Sequence, residues 1–265
     1  MSDGQFGTLR YEIRHGGAWI ILTRPERRNA LDPDLISDLG TAIDTAQRDS
    51  RARSVVVTGT EDAFCAGADL RFIQSLDSPA AIVEYFLQPL TKVLRSIRDL
   101  SKPVIAAING HCVAGGLELA LCCDLILAAT TARIADGHSR FGLLPAIGGA
   151  NALTRAFGPY RAKEMLFLGE AFTGEQLHQL GLVNRAVPAE ELDTVTSALV
   201  ATLATRSPSG LARMKQMVNE GGEVTWDLAA RRELTLTEAH LAAGDPGEGL
   251  AAFTEKRVPV FGSRR

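Results

Sequence analysis

The chain has 265 residues, 46% hydrophobic and 22% charged, with 28 Lys and Arg against 31 Asp and Glu for a formal net charge of -3. This is an ordinary globular composition, long enough for a sizeable core. With no block of basic residues, it argues against nucleic acid or an anionic membrane surface as a partner. No apolar run reaches membrane-spanning length and residues 1–17 carry no basic-then-apolar signal pattern, so the cytoplasm is the expected compartment.

Residues 9–14 and 18–22 are short β-rich runs around His15-Gly16-Gly17 and predict a hairpin. Over residues 34–49, Leu35, Leu39, Ala42, Ile43 and Ala46 recur at helical spacing, with Asp32 or Asp34 placed to cap the helix. Ser54-Val-Val-Val-Thr58 is an apolar run of strand length that ends at Gly59, and a longer helical stretch follows Pro79 to about Leu100. Pro103-Val-Ile-Ala-Ala-Ile-Asn109 predicts a second buried strand, residues 115–123 a helix, and Asp124-Leu-Ile-Leu-Ala-Ala129 a third strand. Buried strands alternating with helices predict an α/β layered fold with largely parallel pairing. Beyond about Pro208 only helical patterns remain, over residues 211–219, 225–243 and 246–255. A core over residues 1–205 and a helical appendage over residues 206–265 are therefore expected, with no repeat or low-complexity linker to mark.

Several chemistries lack their motif. The four cysteines, Cys65, Cys112, Cys122 and Cys123, have no C-x-x-C spacing and read as small buried thiols in a reducing compartment. The five histidines, His15, His111, His138, His178 and His240, include no H-E-x-x-H pair, so no metal site is expected. Neither G-x-G-x-x-G nor G-x-x-x-x-G-K-[ST] occurs. Ser139, in Gly137-His-Ser-Arg-Phe-Gly142, misses the G-x-S-x-G elbow by one residue.

Two segments remain. Asp62-Ala-Phe-Cys-Ala-Gly-Ala-Asp-Leu70 follows the first buried strand, and its small Ala66, Gly67 and Ala68 let another backbone or a ligand come close. Asn109-Gly-His-Cys-Val-Ala-Gly-Gly-Leu-Glu-Leu-Ala120 runs from strand through paired glycines into a helix, whose first N–H groups have no partner within it. One N–H from each segment, converging on a point, would make an oxyanion hole. Taken singly, each segment reads equally well as a Gly-rich turn.

Taken together, the chain resembles the enoyl-CoA hydratase/isomerase (crotonase) family. The likeness rests on Phe64-Cys-Ala-Gly-Ala-Asp-Leu70, on Lys102-Pro-Val-Ile-Ala-Ala-Ile-Asn-Gly110, and on Gly115-Gly116-Leu-Glu118 with Asp124. It extends from Thr23-Arg-Pro-Glu-Arg-Arg-Asn-Ala-Leu31 through Leu168-Gly-Glu-Ala-Phe-Thr173 and Gly181-Leu-Val183 to Glu248-Gly-Leu-Ala-Ala-Phe253. The resemblance implies a spiral of β-β-α units forming two sheets, with C-terminal helices that mediate homotrimers, often stacked into hexamers. It implies an acyl-CoA thioester as substrate, with no separate cofactor because coenzyme A is part of that substrate. The oxyanion donors would be the N–H groups of Ala68 and Gly115. Ala66, Gly67, Asp69 and Gly116 would line the site, and Arg28, Arg71 and Lys256 (the last from a neighbouring subunit) would approach the CoA phosphates. For each of these basic residues a solvated surface charge is the competing reading.

Glu118 falls in the first turn of the glycine-led helix, on an apolar stretch where a carboxylate is costly to bury without a partner. It matches one of the two carboxylates of the family's hydratases; the other falls at His138, where the family pattern has Glu. A Glu/His pair can share acid and base tasks because imidazole titrates near neutral pH. His138 equally reads as a pocket-lining residue that shapes substrate choice, and Asp136 is near enough in sequence to partner it. The leading expectation is reversible hydration of a 2-enoyl-CoA to a 3-hydroxyacyl-CoA. Isomerisation, thioester hydrolysis or decarboxylation on the same oxyanion hole is the second enzyme reading, and a weakly catalytic acyl-CoA-binding protein is the reading from another class.

Overall fold

A computed structural model describes residues 6–222 and 224–262. The outermost residues of the two expected segments, 1–5 and 263–265, lie outside the described residues. Strands β1 (Leu9–Arg14) and β2 (Gly17–Leu22) form the expected antiparallel hairpin, turned by His15 and Gly16 at φ of 52° and 81°. Asp32 caps helix α1 (Pro33–Arg48) by accepting the Leu35 N–H. Burial works against the Asp32 charge, yet the Arg24 guanidinium and the Leu35 N–H outweigh it and hold the carboxyl below its ordinary range.

The chain then runs three times through the same succession. The first unit is β3 (Ser54–Thr58), β4 (Ala63–Cys65) and α2 (Leu70–Ser75), extended by α3 (Pro79–Ile82), a π-helical turn at Val83–Leu87 and α4 (Gln88–Asp99). The second is β5 (Val104–Ile108), β6 (His111–Val113) and α5 (Gly115–Leu121); the third is β7 (Leu125–Ala129), β8 (Arg133–Ala135) and α6 (Gly149–Leu168). Then come β9 (Phe172–Thr173), α7 (Gly174–Gln179), β10 (Arg185–Val187), α8 (Leu192–Ala204), α9 (Pro208–Gly221), α10 (Trp226–Leu241) and α11 (Asp245–Glu255). The first strand of each unit enters a six-stranded sheet of order β1-β2-β3-β5-β7-β10, and the second enters a four-stranded sheet of order β4-β6-β8-β9. Each unit thus advances one strand in both sheets, giving the expected β-β-α spiral.

The larger sheet is covered on both faces at its centre, which is why β3, β5 and β7 read as apolar runs. Val55, Val57, Val104, Ala106 and Ile108 pack into the main core with α1 and α4. Their neighbours Val56, Ile105 and Ala107 join Trp19, Leu192 and Val200 on the opposite face, under α8. Lys215 of α9 reaches back to the core, 2.8 Å from the Asp124 carboxylate, which also accepts the Val104 N–H at 2.7 Å. No helix among the described residues is long and apolar enough to cross a membrane.

Candidate active site

The ends of β4 and β6 in the smaller sheet bring the two glycine-rich segments together. Asn29, fully buried at φ 52°, donates to Ala63 O at 2.8 Å and Phe64 O at 3.1 Å, fixing the loop before α1 against β4. That loop then pairs with the segment after β4: Leu31 N–H donates to Gly67 O and Asp69 N–H to Leu31 O, at 2.7 and 2.8 Å. Backbone N–H groups alternate in direction along such a pairing, so the Ala68 N–H points away from Leu31. The start of α5 is close by: a Cβ placed on Gly115 would lie 3.8 Å from the Ala68 nitrogen.

Glycine is required where these backbones touch. Gly67 has φ 89°, and a Cβ there would sit 2.9 Å from Val113 O and 3.1 Å from the Gly115 nitrogen; one on Gly116 would lie 2.1 Å from Cys65 O. Ala114 takes φ 51° and ψ -115°, an orientation that L side chains rarely adopt. This turns the peptide that carries the Gly115 N–H. Among the described residues neither the Ala68 nor the Gly115 N–H has an acceptor in the protein. Two donors held on rigid segments and left unpaired are what an oxyanion hole requires.

The strain at Ala114 gives a testable expectation. A backbone of this kind costs of order 1–3 kcal/mol, whereas glycine's extra freedom in the unfolded chain costs about 0.4–1 kcal/mol. Ala114→Gly is therefore expected to raise the melting temperature in a thermal unfolding scan; a lower one would show that no strain is stored there.

Glu118, one turn into α5, is 3% exposed. Its Oε1 accepts the Ile147 N–H at 2.8 Å and the Gly149 N–H at 3.3 Å, and its Oε2 has no partner among the described residues. Burial pushes this carboxyl above its ordinary range. The Ile147 N–H, the His138 charge and the Gly149 N–H oppose the rise without cancelling it, and the Asp136 charge adds to it. His138 lies close enough that its charge and that of Glu118 act on each other. Its Nδ1 is 3.0 Å from Asp136 Oδ2, and its backbone N–H donates to Asp136 Oδ1 at 3.2 Å. Burial alone would lower the imidazole pKa, but the Asp136 hydrogen bond and charge, with the Glu118 charge, raise it above its ordinary value. Glu118, His138 and Asp136 therefore form one constellation beside the paired N–H groups.

Ala68 lines a cleft of about 730 Å³ with Arg27, Asp69, Arg71 and Phe72; neither Glu118 nor His138 lines it. Arg27 lines this cleft with its guanidinium 3.6 Å from the Asp69 carboxylate, and Arg28 is not among the lining residues. Arg28 sits at φ 49° beside the cleft and contributes its carbonyl to the Ala66 N–H at 2.9 Å. Only a one-residue offset separates the two, and sequence spacing carried no signal to choose between them. Asp69 caps α2 by accepting from the Arg71 and Phe72 N–H groups. Lys256 is exposed at the C-cap of α11 and does not line this cleft. A second cleft, about 820 Å³, opens between α4 and α9 behind the Ile147–Gly148 loop. Among the described residues no cluster of three or more His, Cys, Asp or Glu is placed to hold a metal ion.

The family model described as enoyl-CoA hydratase/isomerase matches residues 12–264. A probable mitochondrial enoyl-CoA hydratase of Dictyostelium discoideum is 34% identical over 257 residues, covering 97% of this chain and 91% of that protein. The crotonyl-CoA hydratase of Syntrophomonas wolfei is 33% identical over 248 residues, covering 93% and 95%. Among solved structures, an enoyl-CoA hydratase from Polaromonas sp. JS666 superposes with a TM-score of 0.92 at 33% identity, covering 97% of this chain and 100% of that one.

Proposed function

The chain belongs to the enoyl-CoA hydratase/isomerase family, and from that premise we propose that it is an enoyl-CoA hydratase, adding water reversibly to a 2-enoyl-CoA to give a 3-hydroxyacyl-CoA. The observation that carries this reading is the placement of the unpaired Ala68 and Gly115 N–H groups beside the buried Glu118 carboxylate and His138. The thioester carbonyl would accept both N–H groups, so charge that develops on its oxygen as water adds to the β-carbon is stabilised. Glu118, with Oε1 held by two N–H groups and Oε2 without a partner among the described residues, takes the water proton. His138 fills the place of the family's second carboxylate as the other proton-transfer group. Coenzyme A enters as part of the substrate and the reaction needs no metal or redox cofactor. Arg27 and Arg71 on the cleft, with Arg28 beside it, supply positive charge for the CoA phosphates; Lys256 would have to come from another subunit.

Two further features follow. Trp226 and Phe253 on the C-terminal helices are 80% and 84% exposed, with Leu234 and Leu250 also open. Large exposed apolar residues of this kind mark interaction surfaces, and we read this region as the homotrimer interface, with a hexamer as the stacked form. Light scattering should give the mass of three or six chains; a monomer at micromolar concentration would reject this. The free thiols fit a reducing compartment, and we place the enzyme in the cytoplasm.

The experiment that separates chemistry from pocket shape uses His138. For crotonyl-CoA, His138→Gln should lower kcat/KM about 10²- to 10⁴-fold, the range for a lost acid or base. His138→Glu, restoring paired carboxylates, should retain or raise turnover. If both variants only change the preference between crotonyl-CoA and a bulky enoyl thioester, His138 lines the pocket and Glu118 alone transfers protons.

A further inference from the structure

We infer that Asp136 is a positioning residue that fixes His138 with its proton on Nδ1 and so makes Nε2–H the proton donor to the substrate's α-carbon. This rests on the hydratase reading above and assigns direction to its two proton-transfer groups.

The geometry is specific. Asp136 is 1% exposed, and its two oxygens grip the same residue, Oδ1 at the His138 backbone N–H (3.2 Å) and Oδ2 at Nδ1 (3.0 Å). Gly137 between them takes φ 71°, which lets the carboxylate fold back over the turn. A carboxylate can only accept, so Nδ1 must donate, and the ring is left with Nε2 as its single working atom. Nε2 has no protein partner among the described residues.

Two charged groups act on the ring: Asp136 from its own turn and Glu118 from α5. Both are negative, so the imidazolium is favoured over the neutral ring despite burial. Glu118, whose carboxyl is held by two backbone N–H groups, is then the base. In hydration, the water oxygen bonds to the β-carbon and its proton goes to Glu118 Oε2. The α-carbon takes the Nε2 proton of His138, and the thioester carbonyl re-forms. One proton then passes from Glu118 to His138, directly or through water, and both groups return to their starting states.

The test is kcat and KM for crotonyl-CoA against pH, in the parent, Asp136→Asn and His138→Gln. The parent should lose kcat/KM as pH rises and His138 deprotonates. In Asp136→Asn the ring loses its negative partner, so that limb should move to lower pH and kcat should fall about 10²-fold with KM little changed. Nitrogen-15 spectra of histidine in the parent should show the neutral ring protonated at Nδ1, a readout independent of whether the variant folds. An Nε2-protonated neutral ring overturns the inference, as does an Asp136→Asn enzyme with unchanged kcat and pH limb while His138→Gln is impaired. Full activity and the same limb in His138→Gln overturns it too, and is the one outcome that also removes His138 from the proposed mechanism.

Discussion

Glu118→Gln is expected to lower kcat for crotonyl-CoA hydration about 10²- to 10⁴-fold while CoA-thioester binding is retained. The amide oxygen can keep the Ile147 and Gly149 N–H bonds that Oε1 now accepts, so shape and loop position survive. What is lost is the proton acceptor. The sign of the stability change follows from burial. The Glu118 carboxyl is raised in the folded state, so its ionised form disfavours folding above the unfolded-state pKa. Gln removes that charge. At neutral pH the variant should melt at or above the parent's temperature, and the advantage should shrink as pH is lowered and Glu118 takes up its proton. Steady-state kinetics, a binding titration and unfolding scans at two pH values read all three effects. Near-normal turnover would remove Glu118 as the base.

Gly115→Pro should cost about 10²- to 10³-fold in kcat for every substrate accepted, because it deletes one backbone donor outright. Proline suits the first position of a helix, so α5 itself can accept it. Two strains come with it: Ala114 is held at φ 51°, which a following proline disfavours, and a Cβ at Gly115 would lie 3.1 Å from Leu31 Cδ1. Circular dichroism must therefore show a folded variant. Ala68→Pro is the companion, since the Ala68 N–H takes no part in the pairing with Leu31 and its loss leaves those hydrogen bonds intact. Folded, fully active enzyme in either case would move the oxyanion hole elsewhere.

The larger sheet was legible in the sequence because both its faces are covered: Val55, Val56 and Val57, and Val104 through Ile108, form apolar runs that nothing else explains. The smaller sheet was not. Its strands are two or three residues long, too short for any periodicity to register. For the same reason periodicity alone did not reveal the β-β-α repeat, whose second strand is its faintest part; the family resemblance implied it. At the site, the two glycine-rich segments were readable by residue type and order, while the roles of Gly115 and Glu118 came from the family resemblance. The Asp136–His138 contact was not, since it depends on the turn at Gly137. Nor was it legible that Arg27 rather than Arg28 lines the cleft, because in an irregular loop adjacent side chains point in unrelated directions.

Hydration can be read directly by mixing the purified enzyme with a panel of 2-enoyl-CoA thioesters, crotonyl-CoA among them, and weighing the products by mass spectrometry. At least one thioester should gain the mass of one water, with CoA still attached and the conjugated enoyl absorbance lost. Release of free CoA, a shifted double bond with no mass change, or tight binding with no product across the panel would contradict it.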